Sequence, residues 1–352
     1  MDRLILLVES RIRGDVYVRF GGELPKTHRS NTAGRWMLSL QDSKRLQSLS
    51  NNSGIDVSII LVNYNTTELL VNAIQSVYDK SRGFTYEIIV VDNNSQSSPE
   101  QALKDCFLGR VIYIPLAENV GFGRANNEGI KIANGRNLFL LNTDTYLVNN
   151  AIYILKCYID EHPEVGSCGG SLLHADMTPT YSYHRIPFGI MSYELSELTF
   201  GLSRKYVSYP FYNTSEKPIP VGNVSGANFM VRRSVIEEVG MFDPDFFMYG
   251  EESELSWRIR KAGFKNMNVP QAQIVHLEGK SSQVSERKQL MELDGRKKNY
   301  CKTRNIFYFH LANIMLITAC CLRIPFYYIR SNKGEVLRYK QLLRLIFVAY
   351  YK

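Results

Sequence analysis

The sequence predicts an α/β fold with a doubly wound, mostly parallel sheet. From Asp56 onward, apolar segments rich in β-branched residues alternate with segments of helical periodicity, with a repeat of about 25 residues that is typical of βαβ units. The apolar segments are continuous, which indicates strands covered on both faces. Most of them also end in polar residues. We therefore expect a ligand crevice where the carboxyl ends of these strands meet.

Four strands and their polar ends can be placed from these segments. The strands are predicted at residues 57–62, 87–91, 111–114 and 137–141. Polar clusters follow the first, second and fourth strands, namely Asn63-Tyr64-Asn65, Asp92-Asn93-Asn94-Ser95 and Asn142-Thr143-Asp144. A helix at 151–161 and a strand at 165–171 are predicted next. The aromatic segment 174–220 that follows either caps the core or contacts a substrate.

Composition and charge exclude several classes of protein. With 352 residues, 45% of them apolar and 22% charged, the chain can bury a large core, which excludes a disordered, collagen-like or disulfide-dense protein. Its net charge of +8 is uneven, because residues 286–352 carry fourteen Lys or Arg and four Asp or Glu, whereas residues 56–285 carry nineteen and twenty-five. The six cysteines form no C-x-x-C pair, and the apolar run near Met1 is too short for a signal peptide. These features predict a cytoplasmic protein with reduced thiols.

The chain is expected to have three parts. They are an N-terminal extension (1–55) that is partly disordered and has a possible strand at 15–20, an α/β domain (56–285), and a basic and apolar helical tail (286–352). The tail contains a run of twenty-four residues, Ile306–Ile329, whose only charge is Arg323. This run is long enough to span a bilayer and also fits a buried core helix. Pro325 and the flanking basic residues favour a helix in an anionic membrane interface, and they argue against nucleic acid as the partner.

Asp144 is a candidate metal ligand. It follows the fourth predicted strand and would project into the crevice, where Mg²⁺ or Mn²⁺ prefers carboxylate and phosphate oxygens. Alternatively, Asn142 and Asp144 cap the next helix or form an Asx turn. His276 follows the apolar pair Ile274-Val275, so it is either a hydrogen-bonded core residue or, if it shares the crevice with Asp144, a further metal ligand.

Three acidic residues, Glu251, Glu252 and Glu254, cluster at the start of a predicted helix. They suit that place because acidic side chains complement the positive end of the helix dipole, and Glu254 lies four residues before Arg258. Alternatively, one of them faces the crevice as a general base whose pKa is raised by the neighbouring acids. The aromatic and apolar residues at 246–249 favour this desolvated setting.

A glycine-rich segment lies at residues 118–129. It is not a dinucleotide-binding fingerprint, because Asn126 stands where G-x-G-x-x-G requires a glycine. The segment predicts instead the start of a helix, with glycines at tight backbone positions. Amide groups at such a helix start are able to face an anion.

Six motifs follow one another along the chain. They read DVSIILVNYN, EIIVVDNNS, ENVGFGRANNEG, LFLLNTDT, FDPDFFMYGEESELSWRIRKAGF and IVHLEGKSS. In this order they resemble the pattern of glycosyltransferase family 2, specifically its rhamnosyltransferase-like bacterial branch, over residues 56–282. The resemblance implies the GT-A fold, in which a doubly wound nucleotide-binding sheet joins an acceptor-binding half. The basic and apolar tail would add membrane-associated helices at the C-terminus.

The resemblance assigns roles to the matching positions. The positions implied to contact the nucleotide-sugar donor are Tyr64, Asn65 and Asp92 around the base, together with Asn119, Gly121, Asn127 and Asn142. Asp144 matches the last position of the D-x-D metal motif, whose first position is Asn142 here, and His276 matches a histidine that completes the site for Mg²⁺ or Mn²⁺. The E-D motif of the catalytic base appears as Glu251-Glu252, which makes Glu252 the base with one extra methylene.

The implied reaction is the inverting, metal-dependent transfer of one sugar from a nucleotide-sugar donor, dTDP-rhamnose or a UDP-hexose, to a lipid-linked or polysaccharide acceptor. Such an enzyme would act in bacterial surface polysaccharide synthesis, as a peripheral protein on the inner face of the cell membrane. Because the Q-x-x-R-W motif of processive members is missing, a single addition is expected. The departures at Asn142 and Glu252 leave an alternative, a membrane-bound module that binds sugar nucleotides or glycans without catalysis.

Overall fold

The structure is a computed structural model that describes residues 54–185, 194–195, 198–199, 212–277 and 286–351. The predicted N-terminal extension, with its possible strand at 15–20, lies outside the described residues except for residues 54 and 55. Part of the aromatic segment 174–220 also lies outside them. Within that segment, Tyr183 is described and is buried in the core.

A mixed sheet of nine strands forms the centre of the described chain. Its strands are β1 (Val57–Asn63), β2 (Tyr86–Asp92), β3 (Ile112–Pro115), β4 (Asn137–Leu141), β5 (Thr145–Leu147), β6 (Val165–Leu173), β8 (Ile219–Val221), β10 (Asn228–Arg232) and β11 (Lys265–His276). They are ordered β3-β2-β1-β4-β10-β6-β11-β5, and β8 pairs with β11. The short strands β7 (Tyr183–His184) and β9 (Asn223–Val224) pair separately.

Most strands of the sheet run in one direction. β1 to β4 are mutually parallel, β6 is parallel to β11, and β10 lies antiparallel between β4 and β6. The carboxyl ends of β1, β2, β4, β6 and β11 therefore lie at one edge. The four strands predicted from continuous apolar segments coincide with β1 to β4 to within one residue at each end. The predicted mostly parallel α/β sheet is thus confirmed.

Helices lie around the sheet and after it in the chain. Those with described bounds are α1 (Thr67–Lys80), α2 (Glu100–Phe107), α3 (Phe122–Ile132), α4 (Ala151–Glu161), α5 (Arg233–Val239), α6 (Glu251–Lys261), α7 (Glu286–Thr303), α8 (Ile306–Ile329) and α9 (Lys333–Tyr351). Alternate residues of β1 enter two different apolar layers, since Ile59 packs with Leu70 of α1 and Ile60 packs with Ile130 of α3. Burial on both faces explains why the strand sequence is apolar throughout.

β11 delivers His276 to the crevice edge despite a proline in its middle. Its pairing with β6 is interrupted between Asn268 and Gln273, and Pro270 lies within this interruption. A proline has no N–H to donate to a neighbouring strand, so it is tolerated where the ladder is broken. Pairing then resumes, and β5 places Thr145 opposite His276.

The helices α7, α8 and α9 follow the sheet domain, and α7 joins them to it. Lys302 of α7 lies 2.7 Å from Asp243 and 2.6 Å from Asp245. Its Arg296 pairs with buried Glu194 at 3.2 Å. The bounds of α8 coincide with the apolar run predicted from the sequence. Among the described helices, α8 alone is long and apolar enough to cross a membrane, judged by length and composition.

Candidate functional site

The ends of β1 and β2 hold Asp92 in a fixed orientation. The register of the two parallel strands places Asn63 beside Asp92. Asn63 Nδ2 donates to Asp92 Oδ1 at 2.8 Å, and the Ser95 hydroxyl donates to the same oxygen at 2.6 Å. The backbone N–H of Ser95 donates to Oδ2 over 3.3 Å. Asp92 is therefore buried and oriented by its neighbours.

The loop after β1 is tied to the loop after β2. Asn65 adopts a left-handed conformation, with φ of 58°, in which its N–H donates to Ser95 Oγ at 2.8 Å. Asn65 Oδ1 accepts a hydrogen bond from the N–H of Gln96 at 2.7 Å. Tyr64, which precedes Asn65, is half-buried at the same edge as Asp92. The three residues implied to bind the nucleobase thus lie together, and their contact with a donor stays a prediction.

Gly121 allows the segment before Glu251 and Glu252 to reach the start of α3. Its φ is 90°, and a Cβ on it would lie 2.2 Å from the carbonyl oxygen of Phe247. That oxygen accepts a hydrogen bond from the N–H of Phe122 at 2.9 Å. Asn119 Oδ1 accepts from Gly121 N–H at 3.0 Å and from Asn93 Nδ2 at 2.9 Å. The predicted helix start with a glycine at a tight backbone position is confirmed.

Asn127 lies on α3 and holds the segment before the acidic cluster. Its Nδ2 donates to the carbonyl oxygen of Phe242 at 2.8 Å, and its Oδ1 accepts from the N–H of the same residue at 3.0 Å. The side chain is buried. Both the nitrogen and the oxygen of the side-chain amide thus form hydrogen bonds with the backbone of Phe242. The predicted contact of Asn127 with a donor stays a prediction, and holding Phe242 is the role visible in the structure.

Asp144 and His276 are brought together. His276 Nε2 lies 3.2 Å from Asp144 Oδ1, and the N–H of Leu277 donates to the carbonyl oxygen of Asp144 at 2.8 Å. The Asp144 side chain is 29% exposed, whereas His276 is buried. Asp144 therefore faces outward and His276 supports it from the sheet, at the carboxyl end of β4.

Asn142 does not act as a helix cap. The helix α4 begins at Ala151 with Asn150 as its N-cap, and β5 separates it from Asn142 and Asp144, so the prediction that these residues cap this helix is wrong. The N–H of Asn142 donates to the carbonyl oxygen of Ala227 at 3.1 Å. Its Oδ1 is buried and has no hydrogen-bond partner among the described residues. This oxygen is therefore available to contact a bound ligand.

These residues fit a divalent cation that a bound molecule helps to hold. Within the described ranges, no group of three or more His, Cys, Asp or Glu gathers as a potential metal site. The pair of Asp144 and His276, with the Asn142 amide oxygen two residues away in sequence, offers carboxylate, imidazole and amide donors. Such donors suit Mg²⁺ or Mn²⁺ when further oxygens, such as those of a diphosphate, complete the coordination.

Glu251 and Glu252 emerge from a left-handed turn. Tyr249 and Gly250 have φ of 68° and 92°, and α6 begins directly after them. Glu251 is 4% exposed, and its Oε2 is buried with no hydrogen-bond partner among the described residues. Glu252 is half-buried, and a Cβ on Gly226 would lie 3.9 Å from its Cβ and Cγ. Glu252 is thus the member of the pair with access to solvent.

Short contacts place the acidic pair at the same edge as the other polar groups. Gly226, beside Glu252, precedes Ala227, whose carbonyl oxygen binds the N–H of Asn142. Thr143 Oγ1 lies 3.0 Å from Thr66 Oγ1, and Thr66 donates to Asn63 Oδ1 at 2.9 Å. The loops after β1 and β4 are thereby joined. The edge therefore unites the support of Asp92, the Asp144–His276 pair and Glu252.

The acidic pair has raised pKa values. Burial raises the pKa of Glu251 well above its usual range, and the charge of Glu252 adds to the effect. Burial also raises the pKa of Glu252, while hydrogen bonds from the backbone N–H groups of Glu252 and Gly250 lower it. Burial raises the pKa of Tyr249 to about 12, so its phenol stays neutral. Burial is thus the main cause of the raised pKa of both glutamates.

Glu254 has a structural role. Its carboxylate accepts two hydrogen bonds from Arg258 Nε, at 2.8 Å and 2.9 Å. Arg258 also donates to the carbonyl oxygens of Val239, Gly240 and Met241. The predicted i,i+4 pair is thus confirmed. It fixes the loop between α5 and α6.

Several site residues were not singled out from the sequence. Asn63 and Ser95 orient Asp92, Asn93 holds Asn119, and Gly226 lies beside Glu252. Asn63, Asn93 and Ser95 belong to the polar clusters that end the predicted strands. The sequence therefore indicated their location without indicating which member of each cluster has which partner.

Two known protein families match the chain. Residues 58–240 match Glycosyl transferase family 2, and residues 174–330 match Glycosyl transferase family group 2. The first match spans more than half of the chain. It contains Asp92, Asp144 and the strands that carry them.

Three named proteins are similar to part of the chain. The Low-salt glycan biosynthesis hexosyltransferase Agl10 of Haloferax volcanii is 30% identical over 221 residues, which cover 62% of this chain and 66% of that protein. An N-acetylglucosaminyl-diphospho-decaprenol L-rhamnosyltransferase of Mycobacterium tuberculosis is 27% identical over 202 residues, which cover 54% of this chain and 66% of that protein. The O-antigen biosynthesis protein RfbC of Myxococcus xanthus is 26% identical over 237 residues, which cover 64% of this chain and 17% of that protein. The chain thus spans just under two thirds of the first two proteins and a small part of the third.

Two solved structures share the fold. The structure of GalNAc-T7 with UDP, GalNAc and Mn²⁺ has a TM-score of 0.53 at 17% sequence identity. The match covers 71% of this chain and 51% of that chain. The mannosyltransferase PcManGT from Pyrobaculum calidifontis, in complex with GDP-Man and Mn²⁺, has a TM-score of 0.52 at 13% sequence identity. The match covers 89% of this chain and 94% of that chain. Likeness at this identity concerns the fold alone. The fold implied by the sequence motifs is confirmed by it.

Proposed function

The chain belongs to glycosyl transferase family 2, and from this premise we propose that it transfers one sugar from a nucleotide-sugar donor to an acceptor hydroxyl, with inversion at the anomeric carbon. The observation that carries the proposal is the meeting of three groups at one sheet edge. These are Asp92, the Asp144–His276 pair and the half-buried Glu252. A nucleobase, a diphosphate and an acceptor sugar each require one of them.

The residues of β1 and β2 would hold the nucleotide. Asp92 is fixed by Asn63 and Ser95, so its carboxylate is able to accept hydrogen bonds from a base without reorienting. Tyr64 and Asn65 flank it. In this proposal the donor is dTDP-rhamnose or a UDP-hexose, and Asn119 and Gly121 lie beside it.

Asp144 and His276, with the Asn142 amide oxygen, would hold Mg²⁺ or Mn²⁺ against the donor diphosphate. When bound, the cation neutralises the charge that develops on the leaving nucleoside diphosphate. The protein contributes the placement of these ligands. His276 lies opposite Thr145 in the pairing of β11 with β5, which fixes it against Asp144. Asn142 is held by Ala227 through its backbone.

Glu252 would act as the general base. Its carboxylate accepts the proton of the acceptor hydroxyl while that oxygen forms a bond to the anomeric carbon, and the bond from this carbon to the diphosphate oxygen breaks. Attack from the face opposite the leaving group inverts the anomeric carbon. In this proposal Glu251, whose pKa is raised by burial, would keep its own proton, so that the adjacent carboxylate carries the charge.

The acceptor in this proposal is a glycan on a lipid carrier, within a pathway of bacterial surface polysaccharide synthesis. The Mycobacterium tuberculosis relative supports it, because that protein is named for a decaprenol-linked substrate. An acceptor of this kind would place the protein at the cytoplasmic face of the cell membrane, as a peripheral protein. The basic residues of the tail suit such a surface.

The test is an assay of the full-length protein against a panel of nucleotide sugars, with a lipid-linked acceptor extract and with Mn²⁺ or Mg²⁺. Release of nucleoside diphosphate that depends on the acceptor supports the proposal. A protein that binds a nucleotide sugar or a glycan but consumes no donor under any of these conditions is a non-catalytic binding module, and the proposal is then wrong.

A further inference from the structure

The helix α8 exposes its apolar side chains. Among its exposed large apolar residues, six form a stripe, namely Phe307, Leu311, Ile314, Leu322, Phe326 and Ile329. Their spacing of three, four or eight residues places them along one side of the helix. At 1.5 Å per residue, this apolar stripe runs for about 33 Å. Thr318, which fills the gap in the stripe, satisfies its hydroxyl internally by donating to the carbonyl oxygen of Ile314 at 2.9 Å.

Asn313 and Arg323 of α8 point the other way, whereas His310 is exposed. Asn313 is fully buried, and Arg323, the only charged residue of the helix, is 5% exposed. The guanidinium of Arg323 lies over the ring of Tyr339 in α9, 5.3 Å from its centroid. A surface helix of a water-soluble protein has the opposite arrangement, with its apolar side toward the core. The exposed stripe therefore suits an apolar environment rather than water.

Basic residues lie at both ends of the stripe and along its neighbour α9. Arg304 precedes α8, and Arg330 and Lys333 follow it, all of them exposed. Lys340 and Arg344 are exposed on α9. An apolar stripe bordered by positive charge complements a bilayer whose headgroups are anionic. The same charges would repel one another between two copies of this chain, which favours lipid over self-association.

The neighbours of α8 favour a position in the membrane interface over a span. α9 packs along α8, because Arg323 contacts Tyr339 and Cys320 lies in one apolar cluster with Leu345 and Ile346. A bilayer-crossing α8 would therefore carry the charged side chains of α9 into the hydrocarbon, at high cost in free energy. In the interface, the stripe enters the acyl region while the charges of α9 remain at the level of the headgroups.

We propose that the exposed stripe of α8 docks the protein on an anionic bilayer interface. This inference deepens the proposed function, because it names the surface that would bring the crevice to a lipid-linked acceptor. It does not depend on which sugar is transferred. Each basic residue near an anionic surface contributes a factor on the order of five in affinity, so several together give measurable binding to vesicles.

The test compares full-length protein and two single variants by co-sedimentation with vesicles. The vesicles contain phosphatidylcholine alone or a mixture with phosphatidylglycerol. Ile314→Glu adds one negative charge on the stripe, where the residue is 58% exposed, and Leu108→Glu adds the same charge after α2, where the residue is 82% exposed. We expect tighter binding to the anionic vesicles, a loss of about tenfold or more for Ile314→Glu, and no loss for Leu108→Glu.

Three results would overturn the docking surface. They are equal binding of all three proteins, resistance of the protein to extraction from membranes by carbonate, which indicates a span, and an effect of Ile314→Glu on dimerisation but not on vesicle binding. Release of nucleoside diphosphate without vesicles should be the same in all three proteins. A failure of docking is thereby distinguished from a failure of the proposed sugar transfer.

Discussion

Replacing Gly295 by alanine tests whether α7 positions the acidic pair. A Cβ on Gly295 would lie 2.1 Å from the carbonyl oxygen of Tyr249. That carbonyl belongs to the left-handed turn of Tyr249 and Gly250, directly before Glu251 and Glu252. Because a carbon and an oxygen cannot approach so closely, the turn and the acidic pair must shift by on the order of 1 Å.

The expected magnitudes follow from this contact. Alanine is more favourable than glycine in a helix by about 1 kcal/mol, whereas overpacking typically costs about 1–3 kcal/mol. We therefore expect the variant to lose about 0–2 kcal/mol of stability. A shift of the base by this distance should lower turnover by about 10²-fold. Asp92 and Asp144 are held by the sheet, so donor binding should change little.

The assay combines steady-state kinetics with thermal unfolding. Turnover and the donor KM are measured from release of nucleoside diphosphate. Gly334→Ala is the matched control, since Gly334 also lies in a helix but a Cβ on it would be 3.7 Å from its nearest neighbour, Asn332 Oδ1. The control should keep its turnover and its melting temperature. If Gly295→Ala behaves like Gly334→Ala in both measurements, α7 does not position the base.

Three further predictions concern the crevice. Glu252→Gln should lower turnover by about 10²- to 10⁴-fold while calorimetry shows unchanged donor binding; Glu237→Gln on α5 is the control, and similar losses in both variants would remove the base assignment. Glu251→Gln should flatten the pH dependence of the melting temperature. Because burial raises the pKa of Glu251, the folded protein should hold a proton there to higher pH than the unfolded chain, whose glutamate has the ordinary pKa of 4.5. The stability of the wild type should therefore fall relative to that of the variant as the pH rises above 4.5. Parallel curves for the two proteins would contradict the raised pKa. Asp144→Asn should raise the Mn²⁺ concentration for half-maximal activity by about tenfold or more and Asn142→Asp should lower it, whereas no change in either would place the cation elsewhere.

The strands β1, β2 and β4 could be predicted from the sequence because both of their faces are largely buried, whereas the edge strand β3 is only partly covered. Continuous apolar segments such as that of β1 have no other favourable place in a soluble domain. The length of β11 could not be predicted, since its sequence mixes polar residues with Pro270. What makes it a strand is pairing with β5, β6 and β8, whose residues are distant in the sequence.

The location of the site could be predicted from the sequence, but the contacts between its residues could not. The polar clusters after β1, β2 and β4 indicated the crevice edge, and the family resemblance indicated Asp92, Asp144 and Glu252. The support of Asp92 by Asn63, and the contact of Gly295 with Tyr249, depend on how distant segments pack. A single sequence carries no periodic signal for such contacts.

The measurement that tests the central claim most directly is the anomeric configuration of the product, determined by proton NMR during turnover with a donor that the protein consumes. One crevice in which Glu252 activates the acceptor for direct attack predicts a product of inverted configuration at the transferred sugar, with Glu252→Gln nearly inactive. A product that retains the donor configuration would contradict direct attack, and with it the assignment of this crevice.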